Sequence, residues 1–368
     1  MDTENDPCHH RRHIDSTKSP LISAIMFAAG VVGNVAALAL LESRRRRETD
    51  GARRRSLFRV LVTCLVLTDL AGTCLVSPLV QVSYTLNLTL VGMSETPAVC
   101  AYFGVSMTFF SLATPALLCA MALERCLAIG HPYYYSRHVT KKGGYIAVPL
   151  VFLLSALFCL LPFVGFGDYV QYCPGTWCFI DMNPKRWEDR LYANVYATVM
   201  LALVLAIVAC NCFVVCQLVR MYQRRRRNGG SVTVTTRSKR DRRTISMAEE
   251  VERVILLVFM TVIFIICTLP LVIRVYINST GQRKESHRLD LNALRFISVN
   301  SIIDPWVFIF LSPSVLHFCW ASVCRASLVM PRSSVFKSSI GKEPCNGQLE
   351  LCRPALDYSG PVTSHQSL

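Results

Sequence analysis

Seven long apolar blocks, separated by short polar stretches, organise the chain: residues 21–41, 57–84, 98–129, 145–166, 191–221, 254–277 and 289–311. Each reaches the roughly 20 apolar residues that an α-helix needs to cross a hydrocarbon core. In lipid the backbone has no water to bond, so a spanning segment satisfies its own N–H and C=O groups by coiling into a helix. The pattern therefore predicts an all-α membrane protein, a single seven-transmembrane helix bundle over residues 21–311. The polar segment 1–20 ends in Pro20 and reads as an unstructured outer tail with no cleavable signal, which leaves the first span as the insertion signal. The Gly/Ser/Thr-containing basic stretch 223–249 reads as a flexible loop. In "SPSVLHFCWASVCR" the apolar positions share one broad face, predicting a short amphipathic helix over 312–325 on the inner membrane surface. Residues 326–368 are rich in Ser and Pro and read as disordered.

Composition agrees: 52% of the 368 residues are hydrophobic, too many for a soluble domain with one core. The net charge of +15 raises the question of nucleic acid, and its distribution answers against it. The basic runs at 44–47, 53–55, 137–142, 224–227 and 237–243 fall in alternate loops, all on one side of the bundle. The positive-inside rule makes that side cytoplasmic, with the N-terminus outside and the C-terminus inside. His9, His10 and His13 fit a disordered tail better than a metal site. The acceptor sequences Asn87-Leu88-Thr89 and Asn278-Ser279-Thr280 both fall in loops this topology places outside, making Asn87 and Asn278 candidate glycosylation sites.

Most of the 17 cysteines lie within spans, where a small polarizable side chain packs well. Cys100, Cys173 and Cys178 lie on the oxidising outer side. Cys100 with Cys178 is the expected bridge, and Cys8 is the outer cysteine left for Cys173; connectivity is not fixed by sequence. Cys319 and Cys324, just past the last span, are candidates for palmitoylation or for packing at the membrane surface.

Two charges interrupt the seventh block, in "NALRFISVNSIIDPWVF" (292–308): Arg295 and Asp304. A charge at mid-bilayer costs at least about 2.5–3.5 kcal/mol, so a retained one marks function. They lie nine positions apart, about 13–14 Å along a helix, too far for one salt bridge, so each needs its own partner. No metal cluster or nucleophile–base arrangement stands out, so neither an enzyme nor a cofactor is expected.

Other residues carry a specific resemblance. "GNVAAL" (33–38), "LVLTDL" (65–70) and "MALERCLAIGHP" (121–132) resemble span signatures of the rhodopsin-like G-protein-coupled receptors. Glu124-Arg125-Cys126 stands where that class carries Asp-Arg-Tyr, "CTLP" (267–270) replaces Cys-Trp-x-Pro, and "DPWVF" (304–308) replaces Asn-Pro-x-x-Tyr. These departures, with "YVQYCPGTWCFI" (169–180), resemble the prostanoid receptors over residues 20–325. "MTFFSLAT" (107–114), "SMAEE" (246–250) and "NSIIDPWVF" (300–308) look most like the E-type, cAMP-raising branch, while "PFVGFG" (162–167) looks more like the D-type receptor.

The resemblance implies a ligand pocket in which Arg295 binds the prostanoid carboxylate, helped by the hydroxyls of Tyr84 and Thr176. Guanidinium and carboxylate pair through two parallel hydrogen bonds, a fork that lysine lacks. Met26, Met107, Phe110 and Leu294 are candidate apolar wall; Ser23, Ser111 and Ser298 are candidate partners for hydroxyl or keto groups. The loop around Trp177, tied by Cys178, is expected to lid the pocket, leaving a lipid ligand to arrive sideways from the bilayer. Asp304 is expected to join Asn34, Asp69, Asn300 and Ser301 in a buried network that holds water or Na⁺ or is purely structural. Arg125, with Glu124 beside it, is the implied contact for a stimulatory heterotrimeric G protein once the sixth span swings about Pro270, where proline removes a helix hydrogen bond. Ser246 and Ser333, Ser334, Ser338 and Ser339 are candidate kinase sites, implying receptor kinases and arrestin. Prostaglandin D and prostacyclin receptors are the near alternatives, and an organic-anion transporter the remote one, disfavoured because no internal repeat is visible.

Overall fold

The computed structural model describes residues 9–14, 20–47, 57–138, 141–228, 237–279 and 287–311. Eight α-helices follow in order: α1 (Leu21–Arg47), α2 (Leu57–Leu86), α3 (Ala98–Gly130), α4 (Pro132–His138), α5 (Lys141–Leu160), α6 (Trp187–Asn228), α7 (Arg237–Ser279) and α8 (His287–Phe310). All but the short α4 are long and apolar enough to cross a membrane, seven in all. The strands β1 (Tyr169–Tyr172) and β2 (Trp177–Ile180) form an antiparallel hairpin with Tyr169 opposite Ile180.

Helix α3 runs through the middle of the bundle, packing on α2, α5, α6 and both strands. Its burial follows from its residues: Phe103, Leu117, Leu118 and Met121 are all at most 1% exposed. Small residues set how closely the other helices approach. A Cβ on Gly33 would stand 2.7 Å from the Trp306 indole nitrogen, so glycine there lets α1 and α8 meet around that ring. Prolines interrupt α2 (Pro78), α3 (Pro115), α5 (Pro149), α7 (Pro270) and α8 (Pro305), each removing one backbone hydrogen bond.

The spans fall where the apolar blocks predict, with three differences. The fourth block does not run as one helix to residue 166: α5 ends at Leu160 and a 3-10 turn, Leu161–Val164, takes over at Pro162, closed by Gly165 at φ 88°. Pro162 lacks the N–H that would continue the α-helical ladder, and glycine accepts the left-handed turn. The stretch 223–249, expected to be a flexible loop, is largely helical, because α6 continues to Asn228 and α7 begins at Arg237. Arg, Lys, Glu and Ala propagate a helix well once a long span has nucleated it. The outer tail is not wholly unstructured either. His13 bridges Leu88; the Ile14 N–H donates to the Asn87 carbonyl at 3.2 Å, and the Thr89 N–H to the Arg12 carbonyl at 3.1 Å. The expected helix at 312–325 and the tail at 326–368 lie outside the described residues.

Candidate ligand-binding site

One end of the bundle is roofed by three chain segments. The hairpin lies over α3, held by the Cys100–Cys178 disulfide. The Tyr169 ring rests on Gly104, where a Cβ would come within 2.6 Å of it. The Tyr169 hydroxyl donates to the Cys159 carbonyl at 3.0 Å, and burial raises the phenol's pKa, keeping it a donor. The loop after α2 joins the roof: the Leu90 N–H donates to the Gly175 carbonyl at 2.9 Å and the Val91 N–H to Gln171 Oε1 at 3.0 Å. Residues 9–14 form the third layer, with the Arg11 carbonyl accepting from the Gln171 amide at 3.0 Å and from the Thr89 hydroxyl. Cys173 is also disulfide-bonded; Cys8, its expected partner, lies outside the described residues.

Beneath this roof is a cavity of about 740 Å³, its mouth included. Six of the residues expected at the ligand line it: Ser23 and Met26 from α1, Met107, Phe110 and Ser111 from α3, and Ser298 from α8. Trp177 lines it from the roof, with its ring edge-on to Phe103 at 5.9 Å. Arg295, Tyr84, Thr176 and Leu294 do not line it. Arg295 is half-buried one helical turn before Ser298 on the same face of α8, toward the roof. Among the described residues, no hydrogen bond or ion pair engages its guanidinium. Tyr84 continues the α2 stripe of Thr73, Val76, Ser77, Val80 and Gln81 that forms one wall. Thr176 is fully buried, its hydroxyl without a partner. Leu294 is fully buried among core residues and serves packing rather than the cavity wall.

The α2 wall was missed in the sequence, though its 3–4 spacing is legible once Tyr84 is taken as a marker. Gln81 interrupts "PLVQVSY" as a long polar side chain in an apolar run. Its Nε2 is buried without a partner, as is Trp177 Nε1.

Deeper in the bundle lie the polar side chains expected to form a network. Asp69, Asp304, Asn34 and Asn300 are at most 5% exposed. The Asn34 amide donates to the Ser301 carbonyl at 3.2 Å and the Asn300 amide to Asp304 Oδ2 at 3.2 Å. Thr114, which the sequence reading missed, donates to Asp69 Oδ1 at 2.9 Å. Four acceptor oxygens stay buried and unpartnered: Asn34 Oδ1, Asp69 Oδ2, Asn300 Oδ1 and Asp304 Oδ1. An all-acceptor set of this kind suits a cation or water donors.

At the opposite end Arg125 is 2% exposed and locked onto its neighbour: Nε to Glu124 Oε2 at 2.5 Å and Nη2 to Glu124 Oε1 at 2.6 Å. The Tyr135 hydroxyl from α4 also donates to Glu124 Oε1, at 2.5 Å, and the guanidinium stands 5.0 Å over the Phe58 ring.

The two glycosylation candidates separate. Asn87 is exposed in the turn after α2, at φ 53°. Asn278 is corrected: it lies inside α7 at 9% exposure, and its Nδ2, the atom a glycan would carry, is buried. The helix runs further than the apolar block and carries the acceptor into the packed bundle.

Residues 33–308 match the 7 transmembrane receptor (rhodopsin family) model. The chain is 49% identical to the prostaglandin E2 receptor EP2 subtype of Rattus norvegicus, over 93% of this chain and 96% of that one. It is 48% identical to the Homo sapiens EP2 subtype, over 89% and 92% respectively. With the Homo sapiens prostacyclin receptor it shares 40% identity, over 87% and 79%. The fold resembles squid rhodopsin at TM-score 0.65 and 16% identity, over 83% of this chain and 85% of that one.

Proposed function

Because the chain belongs to the prostanoid receptors of the rhodopsin-family seven-transmembrane class, we propose that it is a plasma-membrane receptor for prostaglandin E2 that activates the stimulatory G protein and raises cAMP. The ligand choice rests on graded similarity: 49% identity to an E2 receptor against 40% to a prostacyclin receptor. The roofed end faces outside and the basic end faces the cytoplasm, a reading supported by the alternate basic loops and by the disulfide at the roofed end.

In this reading the ligand's chains lie in the cavity against Met26, Met107 and Phe110. Its oxygens meet Ser23, Ser111 and Ser298. The carboxylate is drawn to Arg295, supported by the Tyr84 and Thr176 hydroxyls. A half-buried guanidinium with no partner among the described residues gains most from an arriving carboxylate, because water exclusion strengthens the pair. The roof directs a lipid ligand to arrive sideways from the bilayer. Ligand binding favours a state in which α7 pivots at Pro270, the polar network around Asp69 and Asp304 rearranges, and Arg125 leaves Glu124 to meet the G protein. That shift requires the ligand to bind the active state more tightly than the resting one. Receptor kinases and arrestin then act on the cytoplasmic serines.

The test is cAMP in cells expressing the chain, titrated with E-, D- and I-type prostaglandins beside Arg295→Ala at matched surface expression. An E-led response, right-shifted in the variant, is expected. A D- or I-led response changes the ligand and keeps the mechanism. Silence toward every prostanoid at normal surface expression rejects the reading.

A further inference from the structure

Orphan donors mark where a ligand's acceptor belongs. Two belong to residues that line the cavity: Gln81 Nε2 from α2 and Trp177 Nε1 from the roof, both buried, neither with a hydrogen-bond partner. Both atoms can only donate. An amide N–H held out of water without an acceptor is costly, so an acceptor that a ligand brings to it is favoured.

The geometry points to Gln81 as a head-group residue: its side-chain amide donates a hydrogen bond to the carboxylate of the acidic lipid held in this cavity. The inference rests on the prostanoid reading above and names a recognition element within that site. Gln81 lies one turn before Tyr84 on the α2 stripe, at the roofed end of the wall. Arg295 lies one turn nearer the roof than Ser298 on α8. Both therefore serve the same end of the cavity, beside Trp177. A carboxylate offers about four lone-pair sites, and a bidentate guanidinium uses two of them. The remaining two are shared by the neutral donors around that head, the Gln81 amide beside the Tyr84 and Thr176 hydroxyls. Gln81 thus adds affinity for the charged head without adding charge, and it bonds a neutral ester carbonyl more weakly than a carboxylate.

Competition binding with prostaglandin E2 and its methyl ester tests this on the full-length chain, wild type beside Gln81→Met and Gln81→Glu at matched surface expression. Methionine keeps the length and removes the donor; about a tenfold loss is expected for the acid and less than about threefold for the ester. Glutamate places a like charge on the acid, so the acid is expected to lose roughly a hundredfold or more while the ester loses no more than with methionine. A merely structural role would weaken acid and ester alike. Equal losses for the two ligands, or no loss in either variant while Arg295→Ala weakens acid binding by roughly a hundredfold, overturn the assignment of Gln81 alone. A wild-type chain that binds neither ligand overturns the prostanoid reading and this inference with it.

Discussion

Arg274 of α7 donates through Nε to Asp290 of α8 at 2.7 Å, joining the two helices near the roofed end with the carboxylate only 1% exposed. The contact is single-pointed: Arg274 Nη2 and Asp290 Oδ2 stay buried without partners. Removing one member of a buried pair strands the other charge and costs about 3–5 kcal/mol. Asp290→Asn is therefore expected to lower the melting temperature of the detergent-solubilised chain by several degrees and to reduce surface expression. Arg274→Met combined with Asp290→Asn should recover most of the loss, since no charge is then stranded. A single variant as stable as wild type would show that the pair does not hold α7 to α8.

The clamp on Arg125 makes a second expectation. Glu124 receives both guanidinium bonds and the Tyr135 hydroxyl at one buried point. Glu124→Gln leaves Arg125 buried with its counter-charge gone, which favours its release. The resting state should weaken by about 3 kcal/mol or more, enough to shift a two-state equilibrium by roughly a hundredfold. Raised cAMP without ligand is the readout. Tyr135→Phe removes one hydrogen bond to a charged group, about 1.5–3 kcal/mol, and should raise basal signalling less. Basal levels that stay at wild type in both variants would remove the clamp from the switch.

The spans, the Cys100–Cys178 bridge and the buried charges Asp69 and Asp304 were legible because each leaves a local trace: an apolar block, a cysteine at a span edge, a charge inside a span. Contacts made through backbone atoms left none. Nothing in "HHRRH" announces that the Arg11 carbonyl accepts from the Gln171 side chain, because on the tail's side that contact uses a backbone atom common to every residue. Arg274 and Asp290 sit near span ends, where a charge can reach the surface by snorkelling, so neither stood out until the fold paired them. Asn278 misled because the acceptor triplet is a local pattern, while its burial is set by where α7 stops.

The roof gives a packing prediction. A Cβ on Gly104 would meet Tyr169 Cβ, Cγ and Cδ1 at 2.6–3.0 Å, atoms near the root of the side chain that cannot swing aside. Gly104→Val should lift the hairpin from α3 and cost about 1–3 kcal/mol of overpacking strain. Faster prostaglandin dissociation, measured by chase with unlabelled ligand, is the expected consequence of a loosened roof. An unchanged off-rate with normal expression would mean that the hairpin does not retain the ligand.

Arg295 should behave in the opposite way to Asp290, because it has a proposed ligand partner and none among the described residues. Arg295→Ala strands no charge, so the melting temperature of the unliganded chain should stay near wild type, within about 0.5 kcal/mol of stability. Prostaglandin E2 affinity should fall by roughly a hundredfold, the worth of a charge-assisted hydrogen bond of about 1.5–3 kcal/mol at its upper end. Arg295→Lys keeps the charge and loses the planar fork, so its affinity for the acid should lie between the two. Measuring melting temperature with and without saturating ligand separates the roles: ligand should stabilise wild type strongly, the lysine variant less and the alanine variant least. An alanine variant that melts well below wild type without ligand would make Arg295 a structural residue that snorkels to the membrane surface.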